Sequence, residues 1–156
     1  MCWDIEGYDM SSWAEKYILS TLMKDKLNYV LVSFYDDDCA GVVTHRVGRD
    51  SSADLEQDVR RFAGVFAGLA RDFKPAKVGF GEIGPRCKNI DRGDRRCTDQ
   101  QSEYVRRYYG VYDAGIKAAV HEYVGGYFYW YFYQDMRPSD KPVLADLKRA
   151  VGVMRQ

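Results

Sequence analysis

The sequence has no surplus of charge, no long apolar run and no closely spaced pair of cysteines. Its 23 basic and 23 acidic residues give a formal net charge of +0, whereas a dedicated nucleic-acid-binding domain carries a basic surplus. No apolar run approaches the roughly 20 residues that span a bilayer, and the first residues lack the basic and apolar regions of a signal peptide. We therefore expect no nucleic-acid and no membrane partner, while a longer, secreted parent protein stays open.

Metal and cofactor motifs are also missing. Gly79-x-Gly81-x-x-Gly84 has the letters of a dinucleotide-binding loop, but these glycines lie within and just beyond an apolar run that reads as a strand, and Pro85 follows. No C-x-x-C pair and no zinc-type spacing joins the cysteines and histidines, which are Cys2, Cys39, His45, Cys87, Cys97 and His121. We therefore predict no metal and no cofactor. A disulfide between Cys87 and Cys97 and a pair of free thiols both fit the sequence.

The hydrophobic pattern alternates between short apolar runs and apolar residues spaced three or four apart. The runs predict strands and the spaced residues predict helices with one apolar face. The predicted strands lie at about 29–35, 77–83 and 126–133, with a possible remnant near 2–6, and the predicted helices lie near 12–25, 54–73, 100–123 and 141–152. Strands that alternate with helices indicate an α/β fold with parallel pairing.

Loop lengths indicate where a site lies. The segments that follow two of the strands, 35–52 and 84–99, are long, and the joins from helix to strand at 25–28 and 74–77 are short. Both a small doubly wound sheet and half of a barrel fit this order, and both place functional residues at the carboxyl ends of their strands.

Glu82 is the most informative single residue, because it ends an apolar, glycine-rich strand. A carboxylate there is costly unless a site uses it or a partner neutralises it. If Val78, Phe80 and Glu82 share one face, Glu82 caps an apolar row. The alternative is a structural Glu held by Arg86 or Lys77.

Three short segments resemble, in order, the last strands of clan A retaining glycoside hydrolases. Val78-Gly-Phe-Gly-Glu-Ile-Gly-Pro85 looks like the seventh strand, whose Glu is the nucleophile. The segment at 127–133, with Trp130 at its centre, is similar to the eighth strand, whose Trp lies beneath the sugar in the binding site. Ser33-Phe-Tyr35 resembles the sixth, where an aromatic residue often bonds the nucleophile.

The resemblance implies one domain over residues 1–156, built as half of a (β/α)₈ barrel with about four parallel β/α units, strands 5–8. It also implies retaining cleavage of β-linked glycosides, with Glu82 as nucleophile, Tyr35 as its hydrogen-bond partner and Trp130 beneath the sugar. The strand that carries the acid/base in this clan is missing. A retaining mechanism needs a second carboxyl about 5–5.5 Å from the first, and Glu6 is the best substitute in this chain, followed by Asp36.

Each of these functional assignments has an alternative in which the residue has only a structural role. Trp3 and Trp130 fit a sugar platform and also ordinary packing, and the Asp36–Asp38 triplet fits a solvated loop. A half-barrel leaves edges and an apolar face bare, so we expect a homodimer. The alternative function is a non-catalytic half-barrel fragment that binds carbohydrate or only self-associates.

Overall fold

The computed structural model describes residues 26–34, 52–83, 101–125, 128–129 and 143–154. In chain order the elements are β1 (Tyr29–Phe34), α1 (Ser52–Asp72), β2 (Lys77–Ile83), a π-helix (Arg106–Tyr112) that continues the helical residues 101–105, α2 (Asp113–Ala119), β3 (Phe128–Tyr129) and α3 (Val143–Met154). No helix in these ranges is long and apolar enough to cross a membrane.

The three strands form one parallel sheet in the order β1-β2-β3. β1 and β2 are paired from Tyr29 opposite Lys77 onward, so the parallel pairing predicted for the strands at 29–35 and 77–83 is confirmed. β3 pairs with β2 over two residues, with Phe128 opposite Glu82 and Tyr129 opposite Ile83.

The prediction of a half-barrel with about four β/α units is wrong. The described residues contain one sheet with two strands of ordinary length, a two-residue third strand and three helical stretches. Apolar periodicity identifies segments that are able to form strands, but a strand forms only where its backbone groups find a partner. Of the strand predicted at 126–133, the described pairing covers Phe128 and Tyr129 alone.

Helix α1 covers one face of the sheet through its aromatic stripe, as its spacing predicts. Phe62 and Phe66 are completely buried, and both contact Phe80 of β2, at ring-centroid distances of 5.1 and 4.9 Å. Phe62 also meets Phe34 of β1 and Tyr112 of the π-helix, at 5.4 and 5.3 Å. Aromatic pairs of this kind contribute about 0.5–1.5 kcal/mol each beyond the area they bury, so this cluster ties both strands to two helices.

The helix predicted to run to about residue 123 ends at Ala119. Val120 is extended, with φ −131° and ψ 108°, and the chain then runs beside β2. The Val78 amide donates to the Glu122 carbonyl, and the Val124 amide donates to the Val78 carbonyl. These two hydrogen bonds satisfy backbone groups of β2, and the helix accordingly ends about one turn before its predicted end near residue 123.

Gly115 and Gly125 are among the glycines that permit close approach of the surrounding elements. A Cβ at Gly115 in α2 would lie 2.5 Å from Val59 Cγ1 of α1. Gly125 has φ +72°, which is in the left-handed region, and a Cβ there would lie 2.9 Å from Asp113 Oδ1. Side chains other than hydrogen are disfavoured at both positions.

Candidate functional site

The two faces of the sheet differ sharply in exposure. Along β1, Val32 and Phe34 are buried against the helices, whereas Tyr29 and Leu31 are 60% and 40% exposed. Side chains alternate between faces along a strand, and residues paired across strands share a face. We call the face turned away from the helices the open face; it carries Tyr29, Leu31, Ser33, Lys77, Gly79, Gly81, Glu82 and Phe128. At Gly79 this face is covered, because a Cβ there would lie 2.2 Å from the Gly125 carbonyl oxygen.

A β-bulge interrupts β2 just before its end. Val32 pairs with Phe80, but Phe34 pairs with Ile83. Ser33 of β1 is therefore opposite two residues of β2, Gly81 and Glu82. An extra residue of this kind disrupts the ladder locally and re-aims the side chains that follow it.

The bulge decides which side of the sheet Glu82 occupies. Phe80 and Ile83 are both completely buried in the core beneath the helices. Glu82 precedes Ile83 and pairs with Phe128, which is 63% exposed. Glu82 is thus half-buried on the open face, so the condition that it shares a face with Val78 and Phe80 is not met. Strict alternation would have placed its carboxylate among the aromatic rings, at a cost of several kcal/mol.

The backbone of Glu82 is held by a side chain of the neighbouring strand. Its amide donates a hydrogen bond of 3.2 Å to the Ser33 hydroxyl. Gly81 leaves room for that hydroxyl, because a Cβ at Gly81 would lie 3.3 Å from Ser33 Oγ. Lys77 lies five residues from Glu82, roughly 16 Å along the strand, so the alternative that Lys77 neutralises Glu82 is wrong. Arg86, the other proposed partner, is outside the described residues.

Of the predicted site residues, Glu82 alone is described. Glu6, Trp3, Tyr35, Asp36 and Trp130 lie outside the described residues, as do the four cysteines. Tyr35 and Trp130 directly follow Phe34 and Tyr129 in the chain, and both of those residues pair with Ile83.

The sequence reasoning missed the buried carboxylate of Asp58. Asp58 is 1% exposed and Tyr112 is completely buried, and the Tyr112 hydroxyl donates a 2.9 Å hydrogen bond to Asp58 Oδ2. The sequence spacing indicates the burial of Asp58, because Asp58 precedes Phe62 by four residues and therefore lies on the same helix face. This pair joins α1 to the π-helix beneath the sheet, away from the open face.

The π-helix also carries two groups with shifted pKa values, Arg106 and Tyr109. Arg106 and Arg107 both bond the Glu103 carboxylate, Arg107 at 2.9 Å, and the hydrogen bond to Glu103 raises the pKa of Arg106. Burial raises the pKa of the Tyr109 hydroxyl well above its ordinary value. Both groups keep their neutral-pH charge state, so neither supplies acid or base chemistry near pH 7.

No group of three or more His, Cys, Asp or Glu side chains in the described ranges is arranged to hold a metal ion. Within the three strands Glu82 is the one carboxylate. Comparison of the chain with protein-family models, with curated proteins and with solved structures finds no match.

Proposed function

We propose that this protein is a glycoside hydrolase that cleaves β-linked glycosides with retention, using the Glu82 carboxylate as nucleophile. The observation that carries the proposal is the position of Glu82 at the carboxyl end of the central strand, on the open face. Ligands of open α/β sheets bind beyond the carboxyl ends of the strands. A half-buried carboxylate at this position stays accessible to a substrate, and the backbone of its residue is held by the sheet.

The surroundings of Glu82 suit a sugar ring. Its cross-strand neighbour Phe128 is 63% exposed. Aromatic rings stack on the apolar faces of flat ligands. In the proposed reaction Glu82 attacks the anomeric carbon and the leaving oxygen receives a proton from a second carboxyl group, for which Glu6 and Asp36 are the candidates.

The direct test is hydrolysis of aryl β-glycosides by the wild type and by Glu82→Gln. We expect kcat to fall by orders of magnitude, about a thousandfold or more, because the amide keeps the shape of the side chain but is not a nucleophile. Glu122→Gln is the matched control, since Glu122 is also half-buried but lies beside Val78, near the other end of β2. Equal rates in the wild type and Glu82→Gln would refute the assignment.

A non-catalytic domain that binds carbohydrate or pairs with a second copy is the other candidate. The exposed Tyr29 and Leu31 at one end of the open face and the exposed Phe128 beside Glu82 favour it, because exposed apolar side chains are typical of interaction sites. This candidate predicts retardation in gels containing polysaccharide, or a dimer by light scattering, with no hydrolysis. Either signal should weaken in Phe128→Ser and survive in Glu82→Gln.

A further inference from the structure

The bulge removes one amide of β2 from regular pairing, and a side chain takes the place of the missing partner. The extra residue of a bulge is left unpaired by the ladder. Here the Glu82 amide is instead bonded to Ser33 Oγ at 3.2 Å, and Ser33 is the residue that faces both Gly81 and Glu82. An alanine or valine at position 33 has no acceptor for that amide.

Different interactions fix the face that Glu82 occupies and the position of its backbone. The burial of Ile83 and the cost of burying a carboxylate select the open face. Neither effect holds the backbone of Glu82 in place. The hydrogen bond from the Glu82 amide to Ser33 Oγ does, and the direction in which the side chain leaves depends on that backbone.

We propose that Ser33 is a positioning residue, whose hydroxyl holds the bulge and thereby aims the Glu82 carboxylate at the substrate. The structural part of this inference concerns the Glu82 amide and is independent of activity. The catalytic part rests on the proposed hydrolase function. Small misplacements of a reacting group lower rates strongly, so the effect of losing Ser33 should appear in kcat rather than in KM.

The test compares Ser33→Ala and Ser33→Thr with the wild type. Hydrogen exchange of the Glu82 amide, followed by NMR, should be about fivefold to tenfold faster in Ser33→Ala, as expected for the loss of one neutral hydrogen bond. Ser33→Thr keeps the hydroxyl and should restore slow exchange. On aryl β-glycosides, Ser33→Ala should lower kcat about tenfold with KM unchanged, and Ser33→Thr should recover most of it.

Ser102→Ala is the matched control, because the Ser102 hydroxyl is buried and has no hydrogen-bond partner among the described residues. It should leave both the exchange of the Glu82 amide and the kinetics unchanged. Unchanged exchange in Ser33→Ala, or failure of Ser33→Thr to restore it, overturns the inference. Faster exchange with unchanged kcat in an active enzyme overturns the catalytic part. If the wild type hydrolyses no more than Glu82→Gln, the proposed function fails, and exchange still decides whether Ser33 holds Glu82.

Discussion

Gly115 of α2 lies against Val59 of α1, and replacing it by alanine sets two opposite effects against each other. Alanine is favoured over glycine inside a helix by about 1 kcal/mol. The new Cβ, however, would lie 2.5, 3.0 and 3.4 Å from Val59 Cγ1, Cγ2 and Cβ, whereas carbon atoms pack best about 3.5–4.0 Å apart. Valine is stiff about χ1, so the helices must separate. Overpacking costs up to about 3 kcal/mol, and we expect Gly115→Ala to lower the free energy of unfolding by about 2 kcal/mol.

The assay is urea unfolding at equilibrium, with Gly64→Ala as the matched control. Gly64 lies inside α1, and a Cβ there would meet no atom within 4 Å. The same substitution at Gly64 should therefore raise the free energy of unfolding by about 1 kcal/mol. In the double variant Val59→Ala/Gly115→Ala the clash is absent, so a double-mutant cycle should give a coupling of at least about 1 kcal/mol.

A stabilising Gly115→Ala would refute this reasoning. If both glycine variants raise the free energy of unfolding, then α1 and α2 are not held in close contact at Val59. A coupling energy near zero in the cycle would lead to the same conclusion.

Two further predictions concern buried tyrosines. Tyr112→Phe removes a hydrogen bond to the buried Asp58 carboxylate, so the free energy of unfolding should fall by about 1.5–3 kcal/mol. Tyr29 is 60% exposed, so in the control Tyr29→Phe the free energy of unfolding should stay within about 0.5 kcal/mol of the wild type. Equal effects in the two variants would contradict a stabilising hydrogen bond between Tyr112 and Asp58. Burial raises the pKa of Tyr109 in the folded state, while the unfolded chain releases this proton near pH 10. The unfolded state then binds fewer protons, so stability should fall as pH rises above about 10, by up to about 1.4 kcal/mol per pH unit. Tyr109→Phe should flatten that fall in urea titrations between about pH 9 and 11, and an unchanged slope would count against it.

Hydrophobic periodicity was sufficient to locate the regular elements around the core. The three- and four-residue steps through Phe62 and Phe66 predict a helix with one apolar face, and the structure has it. The continuous apolar run of β1 predicts a strand buried on both faces, and the structure has the strand but leaves Tyr29 and Leu31 exposed on one face. Periodicity did not determine how many residues of each predicted strand pair with a neighbouring strand. The aromatic run around Phe128 supports two paired residues among those described, because pairing depends on a neighbouring backbone as well as on local preference.

The face that Glu82 occupies could not be obtained from local sequence. A bulge changes the alternation by one residue, and its existence depends on how Ser33 of a distant strand meets β2. The burial of Asp58 also depends on a residue that is distant in the sequence. Its spacing places it on the apolar face of α1, but only the tertiary fold supplies the Tyr112 hydroxyl that makes its burial tolerable.

The π-helix reduces a mismatch between the spacing of the buried residues in the sequence and the period of an α-helix. Tyr104, Tyr108, Tyr112 and Ile116 recur every four residues and are all buried. In an α-helix of 3.6 residues per turn, each such step advances about 40° beyond a full turn, so three steps would carry Ile116 about 120° around the axis from Tyr104. The wider turns of Arg106–Tyr112 reduce that drift. The underwound segment therefore keeps these four side chains closer to one line than an uninterrupted α-helix would.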